Sequence, residues 1–440
     1  MTEESFFRKS MKIAVPVALQ AMLQSSFSMI DQVMVGQLGK TAIAAVEIGG
    51  KPGFVFTFVS GAVATVTGIM VSQYMGKEDD EKVDVSMSIN MLVMMVIALL
   101  TTMACLFIPG ILTGIFTKDA AVIETGTEYV RIVSLIYPLS GVASILAVQI
   151  RCKDHSEYPL YISAVAAVVN TALNFILIFG HFGAPALGVK GAAIASVASQ
   201  VVNLVLMIYF YNKICKFRFC IKMDGTEIKQ YITILFPIVF NEFMWTVGQN
   251  VNTFIYGHMG TDELAGMALT GPIQGLSIGA LSGLAQAAGI LIGKRLGEQE
   301  YDKAYAESKK LCIYGFVGSA LMSLILVLGR NLYVGLFKVD ANVGMIGGML
   351  LVTFAILAPV KVQNMILGGG IIRSGGRTKY IMIIDILGTW LVGVPLGLLT
   401  GLYLKLPIVW VYFILSQEEL VRFIITVFMF RSRKWMNTIE

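Results

Sequence analysis

Charge is scarce in this chain. Lys, Arg, Asp and Glu together make up 14% of its 440 residues, against a hydrophobic share of 56%. Soluble globular domains carry roughly 25% charged residues, so a water-soluble domain is excluded. Histidine is rarer still: His155, His181 and His258 fall in loops near the ends of apolar stretches, and no HExxH run occurs. Neither a Ser/Lys pair, paired aspartates nor a His-rich metal site is assembled, which removes the usual constellations of an intramembrane enzyme; the chain reads as a non-enzyme with no cofactor. The five cysteines (Cys105, Cys152, Cys215, Cys220, Cys312) form no CxxC pair and no metal-ligand spacing with the histidines. They read as reduced cytoplasmic or core thiols. After the polar residues 1–11 there is a full-length apolar span, not a short apolar core followed by a small-residue cleavage site, so no removable signal peptide is expected.

Long apolar runs take the place of what is missing. Stretches of eighteen or more such residues recur along the whole chain, each long enough to cross a bilayer as a helix. They predict twelve spans, at 12–38, 50–75, 86–108, 127–150, 158–180, 187–212, 229–257, 270–295, 309–337, 345–372, 379–403 and 406–431. With the N-terminus inside, the inner segments hold 23 Lys and Arg, including Lys216 and Lys222, against eight outside, including Lys338. Lys361 and Arg422 fall within spans. The positive-inside rule then places both termini in the cytoplasm of a multi-pass cell-membrane protein. The fold class is all-α integral membrane, twelve helices in two pseudo-symmetric lobes. Residues 1–211 form the N-terminal lobe, 212–228 a basic cytoplasmic linker and 229–440 the C-terminal lobe.

The two lobes are copies. Adding 221 to a position carries Pro16 to Pro237, Gln20 to Asn241, Ser28 to Gln249 and Asp31 to Asn252. It also carries Gly36, Gly39, Gly68 and Gly76 to Gly257, Gly260, Gly289 and Gly297, with no gap as far as Lys82 and Lys303. The acidic-basic loops GKEDDEK (76–82) and GEQEYDK (297–303) match, and read as solvated surface segments. Later spans match with one residue of slippage, residues 151–158 aligning with 373–380 and Pro138 and Pro359 lying upstream of each. Six spans return the chain to its starting side, so these are parallel repeats, and transport sites usually lie at or beside the interface between such repeats.

The first span organises the rest. Gln20, Gln24, Ser28 and Asp31 sit at spacings of four, four and three, one face of a helix. A carboxylate at bilayer depth costs ~2.5 kcal/mol or more unless partnered or hydrated, which makes Asp31 a functional candidate. Asn170 and Asn174 share a face of span 5, with Ser196 and Ser199 in span 6. The asparagines either coordinate a cation beside Asp31 or hold helices together, as Asn commonly does in membranes. In the second half the polar candidates are Asn241, Glu242, Trp245, Gln249 and Asn252 in span 7, and Gln274 in span 8. Lys361 and Gln363 follow in span 10, and Asp385 with Trp390 in span 11. Asp385 is either a site residue, an ion-pair partner of Lys361 or a boundary residue. Glu418, Glu419 and Arg422 are expected to satisfy one another at helical spacing.

Several of these runs together carry a resemblance. Pro16, Asp31-Gln32-Val33-Met34-Val35-Gly36-Gln37-Leu38-Gly39 and Ala44-Ala45 resemble the first-helix signature of MATE (multidrug and toxic compound extrusion) transporters. FPIVFNEFMWTVGQNVNTFIYGHMG in span 7 is similar to the matching segment of the bacterial branch. So are GILIGKRLGEQE (289–300), GGGIIRSGGRTK (368–379) and GVKGAAIAS (188–196), and the resemblance spans essentially the whole chain. It implies a V-shaped pair of six-helix lobes exchanging an organic cation for H⁺ or Na⁺. The family aspartate falls on Asp31 and the span 5 polar pair on Asn170 and Asn174, a possible Na⁺ site. Some relatives have an acid where this chain has Asn174, and some multidrug members an acid in span 10, where it has Lys361. Glu242 resembles the span 7 acid, although its offset from Pro237 is shorter than in some branches. Cation coupling is thus expected at Asp31, Asn170, Asn174 and Glu242. The substrate cavity is expected from Gln20, Gln24, Ser196, Asn241, Trp245, Gln249, Asn252, Gln274, Lys361 and Asp385.

Mutually exclusive occupancy of Asp31 by the coupling ion and the exported cation would link the two fluxes. Expected partners are small organic cations and the lipid bilayer, with no nucleic acid and a monomer as the default state. A flippase for lipid-linked oligosaccharides would want a Lys- and Arg-rich cavity for a pyrophosphate, and only Lys361 and Arg422 lie within spans. Export of a dedicated metabolite is the other alternative.

Overall fold

A computed structural model describes residues 3–215, 218–220, 225–337 and 339–439. Lys216, Lys222, Lys338 and parts of the 212–228 linker lie outside the described residues. The described residues are mostly helical, joined by short connections, with no β-strand among them. The first half runs α1 (Glu3–Gly36), α2 (Lys40–Gly49), α3 (Lys51–Gly76), α4 (Asp80–Phe107) and α5 (Pro109–Gly114). It continues through α6 (Ala120–Val133), α7 (Ile136–Cys152), α8 (Glu157–Phe179) and α9 (Val189–Ile214). The second half runs α10 (Gly225–Met259), α11 (Thr261–Gly297), α12 (Tyr301–Val334) and α13 (Ala341–Asn364). It ends with α14 (Thr378–Ile386), α15 (Val394–Leu398), α16 (Ile408–Leu415) and α17 (Gln417–Arg431). Segments Met365–Ile372, Leu387–Gly393 and Leu399–Tyr403 between them are wound as π-helix.

Among the described residues ten helices are long and apolar enough to cross a membrane, and α6 with α7, bent by 41°, give an eleventh when counted as one span. The remaining expected span, 406–431, is broken at Ser416, beyond which α17 opens on Glu418 and Glu419. Helix starts follow local chemistry. At α4, Asp79 accepts a hydrogen bond from the Lys82 backbone N–H at 3.0 Å, and Asp80 and Glu81 fill the first turn, where the helix dipole favours negative charge.

The duplication is visible in the backbone. Left-handed residues fall at matching positions, Glu78 (φ 58°) with Gln299 (φ 59°) and Asp154 (φ 64°) with Gly376 (φ 71°). Non-glycine residues seldom adopt this conformation, so its recurrence at offsets of 221 and 222 shows that the turns were copied along with the spans.

Contacts divide the chain into two units. One contains Met1–Ala18, Ser72–Glu78 and Gly225–Glu440. Its apolar core includes Ile255, Leu350, Val411 and Leu415, all nearly inaccessible. Within it the ends of α3 and α11 meet through two glycines related by the repeat. A Cβ on Gly76 would lie 2.1 Å from the Lys294 carbonyl oxygen, and one on Gly297 would lie 2.0 Å from that of Gln73. The C-terminal residues close over this junction. Gln73 donates to the Ser374 carbonyl at 2.5 Å and accepts from the Ile439 N–H at 2.7 Å, while Trp435 is fully buried. The other unit contains Leu19–Val71 and Asp79–Asp224. In it Val35, Ala42, Ile178, Val189 and Ala192 form a buried cluster that locks α1, α2, α8 and α9 together. This packing holds the face of α1 that bears Asp31 against α8.

Candidate functional site

Asp31 lies near the C-terminal end of α1, half-buried, with its carboxylate turned to α8. Asn174 Nδ2 donates to Asp31 Oδ1 at 2.7 Å. Asn174 is one turn beyond Asn170 on α8, and both are buried, as one helix face requires. The amide of Asn170 lies 2.9 and 3.0 Å from the two Asp31 oxygens once turned to present its NH₂ group. In the opposite orientation its Oδ1 accepts from Asn174 Nδ2 at 3.1 Å and its Nδ2 donates to Ser196 Oγ at 3.4 Å. The Asn174 side-chain oxygen is buried without a hydrogen-bond partner among the described residues. Tyr129 of α6 lies within electrostatic reach of Asp31. Four candidates separated by up to 165 positions thus meet in one pocket: Asp31, Asn170, Asn174 and Ser196. Tyr129 was not legible beforehand, because nothing in its spacing marks it among sixteen tyrosines.

Gln20 lies farther down the same α1 face. Its Nε2 donates to Ser163 Oγ at 2.7 Å, and its Oε1 accepts from Arg151 Nη2 at 2.8 Å. The second half repeats this arrangement with stronger charges. Asn241, the counterpart of Gln20, donates to Asp385 Oδ2 at 2.7 Å, and Asp385 aligns with Ser163. Arg373, the counterpart of Arg151, approaches the same Oδ2 at 4.0 Å and Glu242 Oε1 at 3.7 Å. The repeat alignment of 151–158 with 373–380 would have paired the two arginines. Assigning both to inner loops hid their reach into the helices.

Of the three readings open for Asp385, the ion pair with Lys361 is corrected. The partner of Asp385 is not Lys361 but Arg422 of α17, whose Nη2 and Nε lie 2.7 and 2.9 Å from Asp385 Oδ1. Lys361 instead faces Glu419 Oε1 at 4.0 Å, one turn of α17 before the Arg422 that holds Asp385. Glu419 Oε2 accepts from Asn364 Nδ2 at 2.7 Å and meets Arg422 Nη1 at 3.5 Å. The expected mutual satisfaction therefore holds for Glu419 and Arg422, while Glu418 Oε2 has no partner among the described residues.

The remaining candidates scatter. Gln274 donates to Thr270 Oγ1 at 2.9 Å within α11 and lies beside Tyr412. Asn252 is buried, with its side-chain oxygen unpartnered among the described residues. Gln24 and Trp245 are exposed and Gln249 is half-buried.

A family profile described as MatE matches residues 16–176 and 237–399, two blocks that begin on the repeated prolines Pro16 and Pro237. The chain is similar to the uncharacterised transporter YisQ of Bacillus subtilis, 23% identical over 432 residues covering 96% of this chain and 93% of that protein. It is also similar to a probable multidrug resistance protein NorM of Rhizobium meliloti, 28% identical over 400 residues covering 88% and 85%. Among solved structures it resembles a mutant of the Vibrio cholerae MATE transporter VcmN, with a TM-score of 0.90 at 16% identity over 98% of this chain and 99% of that one. It resembles equally a MOP superfamily transporter of Pyrococcus furiosus, described as having a binding pocket of reversed polarity that suggests a different function. That match has a TM-score of 0.86 at 17% identity over 97% and 95% of the two chains. At these identities the structures show a shared fold.

Proposed function

The chain belongs to the MATE family of membrane transporters, and on that premise we propose that it exports organic cations, drugs among them, in exchange for H⁺ or Na⁺ by alternating access. The observation that carries this reading is the Asp31 pocket: a carboxylate within a membrane-spanning helix, held at 2.7 Å by Asn174 and flanked by the Asn170 amide. Such a group needs a proton, a metal cation or an organic cation to lower its cost at bilayer depth. Only one of these can occupy it at a time, and that exclusion couples the two fluxes.

The Asn170 amide suits it to report the occupant. The bare anion draws the NH₂ end, whereas a protonated Asp31 donates to Oδ1, and a bound Na⁺ takes that oxygen and the free Asn174 Oδ1 as ligands. The driving force suffices for either ion, at ~2.3 kcal/mol per charge per 100 mV of membrane potential and ~1.4 kcal/mol per pH unit. In this reading residues 1–211 and 229–440 act as the two moving lobes of a monomer in the cell membrane, with 212–228 a cytoplasmic linker and both termini inside. Glu242 joins Asp31, Asn170 and Asn174 as a coupling candidate, and the candidates for contact with the exported cation are Gln20, Gln24 and Ser196 of the first half and Asn241, Trp245, Gln249, Asn252, Gln274, Lys361 and Asp385 of the second. Lys361 and Arg422 are both engaged by carboxylates, which weighs against a flippase that would need free bases for a pyrophosphate.

The test is ethidium efflux from cells or inside-out vesicles under an imposed pH gradient and an imposed Na⁺ gradient in turn, for wild type and Asp31→Asn. Efflux that follows one gradient and is lost in the variant supports the reading and names the ion. Undiminished efflux by Asp31→Asn removes Asp31 from the mechanism. No efflux under either gradient moves the substrate to another class, and uptake of citrate or flavins in the same vesicles is then the next comparison.

A further inference from the structure

The second half gathers a cluster of ionisable side chains, with Glu418 and Glu419 buried and the others half-buried. Four acids belong to it, Glu242, Asp385, Glu418 and Glu419, and three bases, Lys361, Arg373 and Arg422. Leaving out the outlying pair of Glu242 and Arg373 changes nothing, since three acids then face two bases. One negative charge is in excess either way.

Three of the acids have basic partners within ion-pair distance, as described above. Glu418 differs. It is 6% exposed, and its Oε2 is buried with no hydrogen-bond partner among the described residues. Its surroundings are shaped to it by the π-wound turn Leu387–Gly393, which carries a glycine near each end. A Cβ on Gly393 would lie 2.3 Å from Glu418 Oε2, and one on Gly388 would lie 2.4 Å from the Arg422 side chain. The wide turn therefore admits the Glu418 carboxyl at one end and the aliphatic stem of Arg422 at the other, and any larger residue at either glycine would displace them. Several charged or titratable groups face Glu418: Arg422 and Glu419 from its own helix, Lys361 from α13 and Tyr256 from α10. The Thr389 hydroxyl lies against it from the π turn.

We propose that Glu418 is a proton-binding site of the C-terminal half, the one carboxyl of this cluster that carries a proton at neutral pH and can release it when the cluster opens. An unpaired buried anion is far costlier than the neutral acid, and protonating one carboxyl cancels the excess charge. With a single hydroxyl beside it and glycine carbon against Oε2, the site offers few of the oxygen ligands a larger cation would need. The reaction is plain acid dissociation: the O–H bond of Glu418 breaks, the proton leaves to water and the electron pair stays on the carboxylate. The inference stands whether or not Asp31 couples transport.

Infrared difference spectroscopy on the purified full-length protein in lipid nanodiscs tests it, using the stretch of protonated carboxyl groups. The parent is Asp31→Asn, so that Asp31 contributes nothing. The parent is expected to show one buried protonated carboxyl at pH 7, lost on adding Glu418→Gln and kept on adding Glu419→Gln. Thermal stability should follow the same split, because Glu418→Gln exchanges neutral for neutral whereas Glu419→Gln strips a partner from Arg422 and Lys361. Absence of the band in the parent, or its survival in Glu418→Gln, overturns the proposal. Should Glu418→Gln fail to fold, Gly393→Ala in the same parent presses on the carboxyl directly. A shift of the band supports the assignment and an unmoved band refutes it.

Discussion

The junction between α3 and α11 supports a prediction whose sign can be worked out in advance. Replacing Gly76 or Gly297 by Ala sets a methyl 2.1 or 2.0 Å from a facing carbonyl oxygen. Real Cβ contacts essentially never fall below 3.0 Å, so the two helix ends must separate by about 1 Å in a region packed at interior density. Overpacking of that kind costs ~1–3 kcal/mol, offset by ~0.5–1 kcal/mol from replacing a helical glycine. A clash with backbone atoms puts the cost in the upper part of that range, about 2–3 kcal/mol, so the net loss is about 1–2 kcal/mol at either site, a factor of roughly 5–30 in the equilibrium between closed and opened junction. Ser72, fully buried at this junction, provides the probe. In a background with all five native cysteines replaced, Ser72→Cys should react with a water-soluble thiol reagent roughly 5–30 times faster when Gly297→Ala is added. Gly61, also on α3 but with nothing within 4 Å of its would-be Cβ, is the control. Gly61→Ala should stabilise by ~0.5–1 kcal/mol and leave labelling unchanged. Because Gly76 and Gly297 press on one junction, the double variant should fall short of the sum. Equal labelling rates in Gly61→Ala, Gly76→Ala and Gly297→Ala would refute the reasoning.

Three further outcomes follow from the same physics. Arg422→Leu strands Asp385 and Glu419 and should destabilise by ~3–5 kcal/mol, lowering the melting temperature in detergent; adding Asp385→Asn should recover part of the loss. Trp435→Ala removes a fully buried side chain stacked on Phe430 and should cost ~3–5 kcal/mol, read as faster hydrogen exchange at the Ile439 N–H that bonds Gln73. The Lys303 ammonium bonded to Glu300, with Arg295 beside it, holds the Glu300 carboxyl below its ordinary value in the loop between α11 and α12. A lowered value means the stabilisation is full above the ordinary glutamate range, about 4.3, and disappears as pH falls through the folded-state value. The melting difference between wild type and Glu300→Gln should therefore be small, salt-sensitive and present at pH 7, and should vanish in strong acid.

What could be read without coordinates was whatever has a period. Apolar length marked the spans, since a bilayer demands about twenty residues of helix, and the copied frame at 221 marked the duplication. Side-chain spacing put Gln20 and Asp31 on one face of α1, and Asn170 and Asn174 on one face of α8. The bilayer also singled out Asp31, because charge at depth is too costly to be incidental.

The tertiary structure decided which polar face meets which. Spacing along one helix says nothing about the rotation of its neighbour, so the meeting of Asp31 with Asn174 had to come from how α1 packs on α8. The same holds for the pairing of Asp385 with Arg422 instead of Lys361, and for Arg151 and Arg373 reaching from the turns to Gln20 and Asp385. The π-wound turn at Leu387–Gly393 and the lone carboxyl of Glu418 leave no periodic trace at all. They arise where long-range packing outweighs the local preference for an α-turn, and no local pattern records that balance.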